Sequence, residues 1–319
     1  MLIDEYMRIQ QYCHQPHSSS LSIVTNLYII NMSDSDLFQR LSLDETLGRT
    51  FLVYKTGFAV FTKIAVLTVV IMSILQALNL WMLNMDNGVD SWAYKHTGLA
   101  MFLSAIDTVL TIFVTAVGNI MLIRAVADVY LDRPANLQAS FKVGAQRMCT
   151  IFGASLIAGL AIALGFVLFL APGIYLSVKW FAVTPAIVIE GKGVTGSLNR
   201  SWELTNGSWC YVFCTQLIFS IVVIVLAYIP LFFVTYDAAM KGEQIGAFTQ
   251  FLINIPAILW QPLVAIAMTI MYINLRIEKE SLNYDLFARD LGHACGDAAY
   301  TNLVDHEEFK DEDVEIGVQ

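Results

Sequence analysis

Long apolar runs separated by short polar segments dominate the chain, and six of them approach the length of a membrane span: about 64–83, 98–122, 150–170, 174–189, 209–234 and 250–273. A helix needs about 20 predominantly apolar residues to cross the hydrocarbon core, and only the fourth run is clearly short. It follows Ala171-Pro172-Gly173, so it is either a separate span or a bent continuation of the third. The basic residues separate these alternatives. With six spans, the segments before 64, at 124–148, at 190–208 and after 273 share one side and hold 5, 4, 2 and 4 Lys/Arg, against Lys95 and Lys241 opposite. Merging the third and fourth runs gives ten against seven. Basic residues accumulate on the cytoplasmic side. The pattern therefore predicts six spans, a Pro-Gly turn between the third and fourth, and both termini in the cytoplasm.

A short motif recurs on that basic side, each time just before an apolar run: Leu47-Gly-Arg-Thr-Phe51, Leu137-Gln-Ala-Ser-Phe141 and Leu198-Asn-Arg-Ser-Trp202. Around the first, Leu43, Leu47, Phe51 and Tyr54 recur at helical spacing, and Ser42-x-x-Glu45 offers a capping box. Helices with an aromatic on one face and Arg on the other lie in the headgroup plane. The expected fold class is thus all-α: a polytopic bundle of six transmembrane helices in three interfacial-helix-plus-hairpin repeats. Residues 42–292 would form the membrane domain, 1–41 a cytoplasmic arm and 293–319 an acidic disordered tail. The arm contains an apolar patch, 21–32, too short to span. No basic segment followed by an apolar core begins the chain, so no signal peptide is expected.

Composition agrees with a bilayer protein: 57% of residues are hydrophobic and 14% charged, with a mean hydropathy of +0.62, where soluble domains carry about 25% charged residues. The net charge of −9 owes much to the tail Asp305–Ile316. No basic patch exists, so nucleic acid is excluded as a partner. The bilayer itself is the expected one, with other membrane proteins or a soluble lipid-metabolising protein beside it. Cys13, Cys149, Cys210, Cys214 and Cys295 are scattered without metal-ligand spacing.

Chemistry concentrates at one intramembrane position. Asp107 lies mid-span, where an ionised carboxylate costs about 3 kcal/mol. Ser104, Asp107, Thr108, Thr111, Thr115, Gly118 and Asn119 share its helical face. That stripe is either a polar path with Asp107 as titrating group or a packing face of small and hydroxyl residues; packing is preferred. Asp107, Thr111, Asn119 and Lys179 form the candidate intramembrane site, with Lys179 either pairing with Asp107 or snorkelling to the external headgroups. Arg49, Arg200 and Trp202 are candidate headgroup contacts, with an Arg200–Glu203 pair on a solvated face as the alternative. Ser155, Gly159 and Ala163 are expected to form a helix-packing ridge. Pro256 and Pro262 predict a kinked sixth span. No catalytic constellation, phosphate-cradling glycine loop, cofactor motif or metal motif is present.

Ser42–Tyr54, Ala171-Pro-Gly-Ile-Tyr-Leu-Ser-Val-Lys-Trp180, Pro185–Gly191, Ser197–Trp209 and Tyr272-Ile-Asn-Leu-Arg276 with the following helix to Leu291 resemble a family of six-span proteins. It is the membrane domain of glycerophosphoryl diester phosphodiesterase, with related bacterial inner-membrane proteins of unknown function. The resemblance covers about 42–292 and implies a multi-pass protein of the cell membrane. It does not extend to the hydrolase. No His-Arg-Gly segment occurs, the five histidines (14, 17, 96, 293 and 306) fall in the arm, one loop and the tail, and no segment has room for a barrel of about 250 residues. The expected function is a non-catalytic membrane-organising or interaction module associated with lipid metabolism. A small-solute or ion transporter or channel using the Asp107 stripe is the main alternative, and a lipid-handling or scramblase-like protein the third.

Overall fold

The computed structural model describes residues 38–83, 96–131, 133, 137–241 and 247–295. Most of the arm, the apolar patch at 21–32, Lys95 and the acidic tail lie outside the described residues. Every element among those described is helical. In chain order these are α1 (Leu43–Thr56), α2 (Phe58–Leu83), α3 (Thr97–Tyr130), α4 (Leu137–Leu168), α5 (Leu170–Lys179), α6 (Val183–Glu190), α7 (Val194–Thr205), α8 (Trp209–Val223), a π-helical turn (Ile224–Tyr228), α9 (Ile229–Lys241), α10 (Ala247–Asn254), α11 (Ala257–Glu280) and α12 (Tyr284–Cys295).

Six helical stretches are long and apolar enough to cross a membrane: Phe58–Leu80, Thr97–Tyr130, Ser140–Leu168, Leu170–Glu190, Trp209–Asp237 and Phe251–Glu280. This is the number predicted, with a clear division between the third and fourth. The break lies at Phe169, whose backbone is extended (φ −160°, ψ 151°), and not at the Pro-Gly pair. Pro172 and Gly173 instead sit inside the first turn and a half of α5. A proline is tolerated there because first-turn N–H groups have no helical acceptor. The hairpin closes tightly over two glycines. A Cβ on Gly165 would lie 2.9 Å from the Gly173 nitrogen and 3.0 Å from its Cα. The sixth span is interrupted at Ile255–Pro256, as its prolines predicted, and α11 carries Pro262 internally.

Three expectations are corrected. The second motif copy has no interfacial helix of its own, because Leu137–Phe141 opens α4, which runs on to Leu168. Separate helices precede the span only in the first and third copies, so the three-unit organisation is not established. The ridge Ser155–Gly159–Ala163 is exposed, and the packed face of α4 carries Ile151, Ala154, Ala158 and Gly165. The second span extends past 122, because Arg124 and Asp128 form a buried ion pair four residues apart and continue α3 to Tyr130. What the three copies share is a face. Thr50, Ser140 and Ser201 are each 0% exposed, whereas Phe51, Phe141 and Trp202 are 40–56% exposed.

The core is concentrated at one end. α6 is apolar all round and buried from Val183 to Ile189 except Thr184, as such a helix requires. It packs against α3, α4, α7, α11 and α12. The fifth span is nearly bare, with 7% of its apolar window buried. The end holding α1, α6, α7 and α12 is called the charged end below.

Two predictions follow from this packing. Gly165→Val drives a side chain into backbone that has no rotamer to give, and should cost about 1–3 kcal/mol, read as a lower melting temperature in detergent. Gly159→Ala, with nothing within 4 Å of a new Cβ, should hold the melting temperature or raise it slightly, because Ala suits a helix interior better than Gly. The second concerns the capping box of α1, where Ser42 N–H donates to Glu45 Oε2 at 2.8 Å. The Ser42 hydroxyl holds Asp44, and the Ser42 backbone N–H holds Glu45, below the usual carboxylate range. Depressed values stabilise the folded form above the ordinary carboxylate pKa, and the gain is lost as pH falls through the lowered values. Exchange protection of the Glu45 and Thr46 amides should therefore drop below about pH 4.

Candidate functional site

The charged end is built around breaks in the helices. Between α5 and α6 the chain turns at Trp180–Ala182, freeing backbone groups inside the protein. Ser201 of α7 closes the gap: its Oγ donates to the Lys179 carbonyl at 2.7 Å and accepts from the Ala182 N–H at 3.1 Å. Thr205 adds a second donor to the same carbonyl at 3.3 Å. Membrane helices can be broken where neighbouring side chains re-satisfy the freed groups. The third motif copy thus supplies a hydroxyl that splints the fourth span.

Beside it lies a buried ion network. Glu190, 6% exposed at the end of α6, accepts from Arg200 Nε at 2.9 Å and from the Tyr272 hydroxyl, and lies 3.5 Å from Arg276 Nε. Arg200 Nη2 donates to Glu280 at 2.7 Å. Arg276 Nε reaches Glu280 at 3.0 Å and its Nη2 reaches Asp290 at 2.7 Å. Three carboxylates thus face two guanidiniums, with Lys192 Nζ 3.7 Å from Glu190. α6, α7, α11 and α12 are fastened together by charge. The carboxylates around Arg200 hold its guanidinium still further above its ordinary range, outweighing burial. Arg124 and Asp128 (side chains 2% and 5% exposed) form a second pair, from which Arg124 reaches the Leu291 carbonyl.

The third feature is aromatic. Lys179 Nζ lies 5.1 Å from the Trp202 ring centroid and 5.7 Å from that of Tyr175. Tyr175 meets Trp202 edge-on at 5.9 Å and Trp209 nearly parallel at 6.4 Å, and Trp209 stacks on Phe213 at 4.9 Å. A desolvated cation–π contact is worth about 2 kcal/mol, below the several kcal/mol that burying an ammonium costs.

The fourth is the stripe on α3, which packs against α2 and α11. A Cβ on Gly118 would meet Thr68 Oγ1 at 2.5 Å, Thr115 Oγ1 reaches Met72 Sδ at 3.4 Å, and Ser104 and Asn119 lie 3.5 Å from Asn79 and Gln261. Nearby, Asn254 donates to Gln76 at 2.8 Å and to Ser73 at 3.2 Å. Asp107 is half-buried and makes no hydrogen bond or ion pair among the described residues. The Thr111 hydroxyl is buried without a partner.

The candidate residues are therefore not one site. Thr111 and Asn119 share the stripe with Asp107, but Lys179 is held by Tyr175 and Trp202 and does not pair with Asp107. It does not snorkel to the external headgroups either, being 3% exposed and set beside α7, whose Ser201 and Thr205 bond its carbonyl at the charged end. Arg200 is bound by Glu190 and Glu280, not Glu203, and its guanidinium is committed within the protein. Arg49 lies on α1, half-buried; Trp202 is exposed beside Lys179. The roles of Glu190, Tyr272, Arg276, Glu280 and Asp290 were not legible in the sequence, since Glu190 and its partners on α11 are more than 80 residues apart. The i, i+4 spacings Arg124–Asp128 and Arg276–Glu280 were the available local signals.

Residues 151–285 match the model of the family described as the membrane domain of glycerophosphoryl diester phosphodiesterase. The match bears out the resemblance from the middle of α4 to the start of α12, a stretch that holds Pro172–Tyr175, Ser201 and the network residues Glu190, Arg200, Tyr272, Arg276 and Glu280. Comparisons with curated proteins and with solved structures find no match.

Removing one member of a buried ion network leaves its partners uncompensated, at about 3–5 kcal/mol. Arg276→Met should accordingly lower the melting temperature in detergent steeply. Lys241→Met, which breaks an exposed i, i+4 pair with Asp237 worth about 0.3–0.5 kcal/mol, should barely move it.

Proposed function

We propose that the chain is a non-catalytic membrane-organising module associated with lipid metabolism, seated in the cell (inner) membrane with both termini and the charged end on the cytoplasmic side. The observation that carries this is the ion network. The charged side chains with partners on several helices are spent on one another, giving a rigid floor that can hold interfacial helices in place for a partner. The match to a membrane domain whose relatives are joined to a lipid-metabolising hydrolase supports the association, as does the excess of Lys/Arg on one side for the orientation. Partners on this view are the bilayer, neighbouring membrane proteins and a soluble lipid-metabolising protein.

A second reading, transport of a small solute or ion, draws on one observation: Asp107 lies within the second span, in the first half of α3, without a partner among the described residues and near the unbonded Thr111 hydroxyl. Against it, Ser104, Thr115, Gly118 and Asn119 of the same stripe are already engaged with α2 and α11.

The test is made on the full chain reconstituted in sealed vesicles. A cysteine at position 107, in a background lacking the native cysteines, should be protected from a membrane-impermeant thiol reagent, and the vesicles should show no glycerophosphodiester hydrolysis and no proton flux. Labelling equal to that of a cysteine in the 84–97 loop, together with a flux lost in Asp107→Asn, overturns the organising role in favour of transport. Hydrolysis by the purified chain overturns it in favour of an enzyme.

A further inference from the structure

Two hydrogen-bond donors where α5, α7 and α8 meet lack an acceptor. The Lys179 side chain is buried, and among the described residues no carboxylate lies within ion-pair distance of its Nζ. The Trp209 Nε1–H is buried and equally unbonded. The Tyr175 ring joins them, 5.7 Å from Lys179 Nζ and stacked on Trp209 at 6.4 Å. The contrast with the rest of this end is sharp, because Arg124, Arg200 and Arg276 each face a carboxylate. Ring faces return only part of the desolvation of an ammonium. The dipole at the end of α5 adds a partial charge, but the Lys179 carbonyl there is already taken by Ser201 and Thr205.

What is missing is an acceptor carrying negative charge. The cluster is not sealed, since Tyr175 and Trp202 are 43% and 40% exposed. It lies level with α7, and Trp and Tyr mark the membrane–water boundary. Farther along α8, Leu217 and Ile221 are exposed and apolar, a flank suited to an acyl chain. We propose that Lys179 and Trp209 bind the phosphate of an anionic phospholipid from the leaflet at the charged end, the ammonium neutralising the oxyanion and the indole N–H donating to it. Free inorganic phosphate shares this chemistry, but it makes no use of the apolar flank. The proposal shares with the function above only the placement of the charged end at a membrane surface.

The full chain, delipidated in detergent, is titrated with dioctanoyl phosphatidylglycerol, dioctanoyl phosphatidylcholine and inorganic phosphate, with occupancy read by native mass spectrometry. One saturable phosphatidylglycerol site is expected, weakened about tenfold by Lys179→Met and about threefold by Trp209→Phe, the scale of a lost charge-assisted and a lost neutral hydrogen bond. Lys179→Arg, which keeps the charge, should stay within about threefold of the native chain. Lys142→Met, an exposed lysine at the same end, should have no effect and so excludes general surface attraction. Should Lys179→Met not fold, Trp209→Phe decides. Equal binding by the native chain and the folded Lys179 and Trp209 variants overturns the site. Equal uptake of phosphatidylcholine, or saturation by inorganic phosphate without lipid binding, overturns the anionic-lipid assignment. Flux through Asp107 would defeat the organising role and leave this result untouched.

Discussion

A carboxylate buried among apolar helices must find its donors inside the protein, and Glu190 is the place where this chain meets that demand. Its side chain is 6% exposed, and its donors come from α7 and α11. Neither helix could shift by a turn without leaving a charge uncompensated in a low-dielectric setting, where such a loss is costly. α12 is bound into the same arrangement through Asp290 and Arg276. The fully apolar α6 can be buried on every side because its one charged end is answered in this way. Among the described residues the far end of the bundle shows no comparable network, and there contacts such as Gly165 on Gly173 and Asn254 with Gln76 and Ser73 join the spans.

The motif that recurs three times acquires a physical meaning from burial. Its hydroxyl faces inward in each copy while the aromatic that follows faces outward, an outcome fixed by the 100° step between successive helical residues. The inward hydroxyl does different work each time. Thr50 donates to the Thr46 carbonyl within its own helix, Ser201 splints a neighbouring one, and Ser140 has no partner among the described residues. Shared sequence here records a shared packing face more securely than a shared unit.

The number of spans was legible because it rests on two independent constraints, the length of apolar runs and the asymmetry of basic residues. The start of α1 was legible for a local reason, a capping box confined to four residues. The register of α4 was not. Ser155, Gly159 and Ala163 fit the small-residue pattern, but Ala154, Ala158 and Gly165 offer another at a different angle, and only the neighbouring helices choose between them. The ion network was hidden more deeply. Arg200 and Glu203 sit close in sequence and invite pairing, whereas Glu190 and Glu280 reach Arg200 from other helices. Lys179 was read against the nearest unpaired acid in the membrane, but α7 crosses the break beyond it and encloses it in aromatic rings.

The tip of the α4–α5 hairpin has a bearing on how the protein sits in its bilayer. Val167, Leu168, Phe169 and Leu170 are all at least 69% exposed, and no polar side chain occurs from Gly165 to Gly173. The Phe169 N–H donates to the Gly165 carbonyl, so the reversal itself demands little from water. Such a tip has no purchase on headgroups and no penalty for remaining among acyl chains. A mismatch between this tip and the local bilayer thickness would therefore cost little, because nothing polar on it has to reach water.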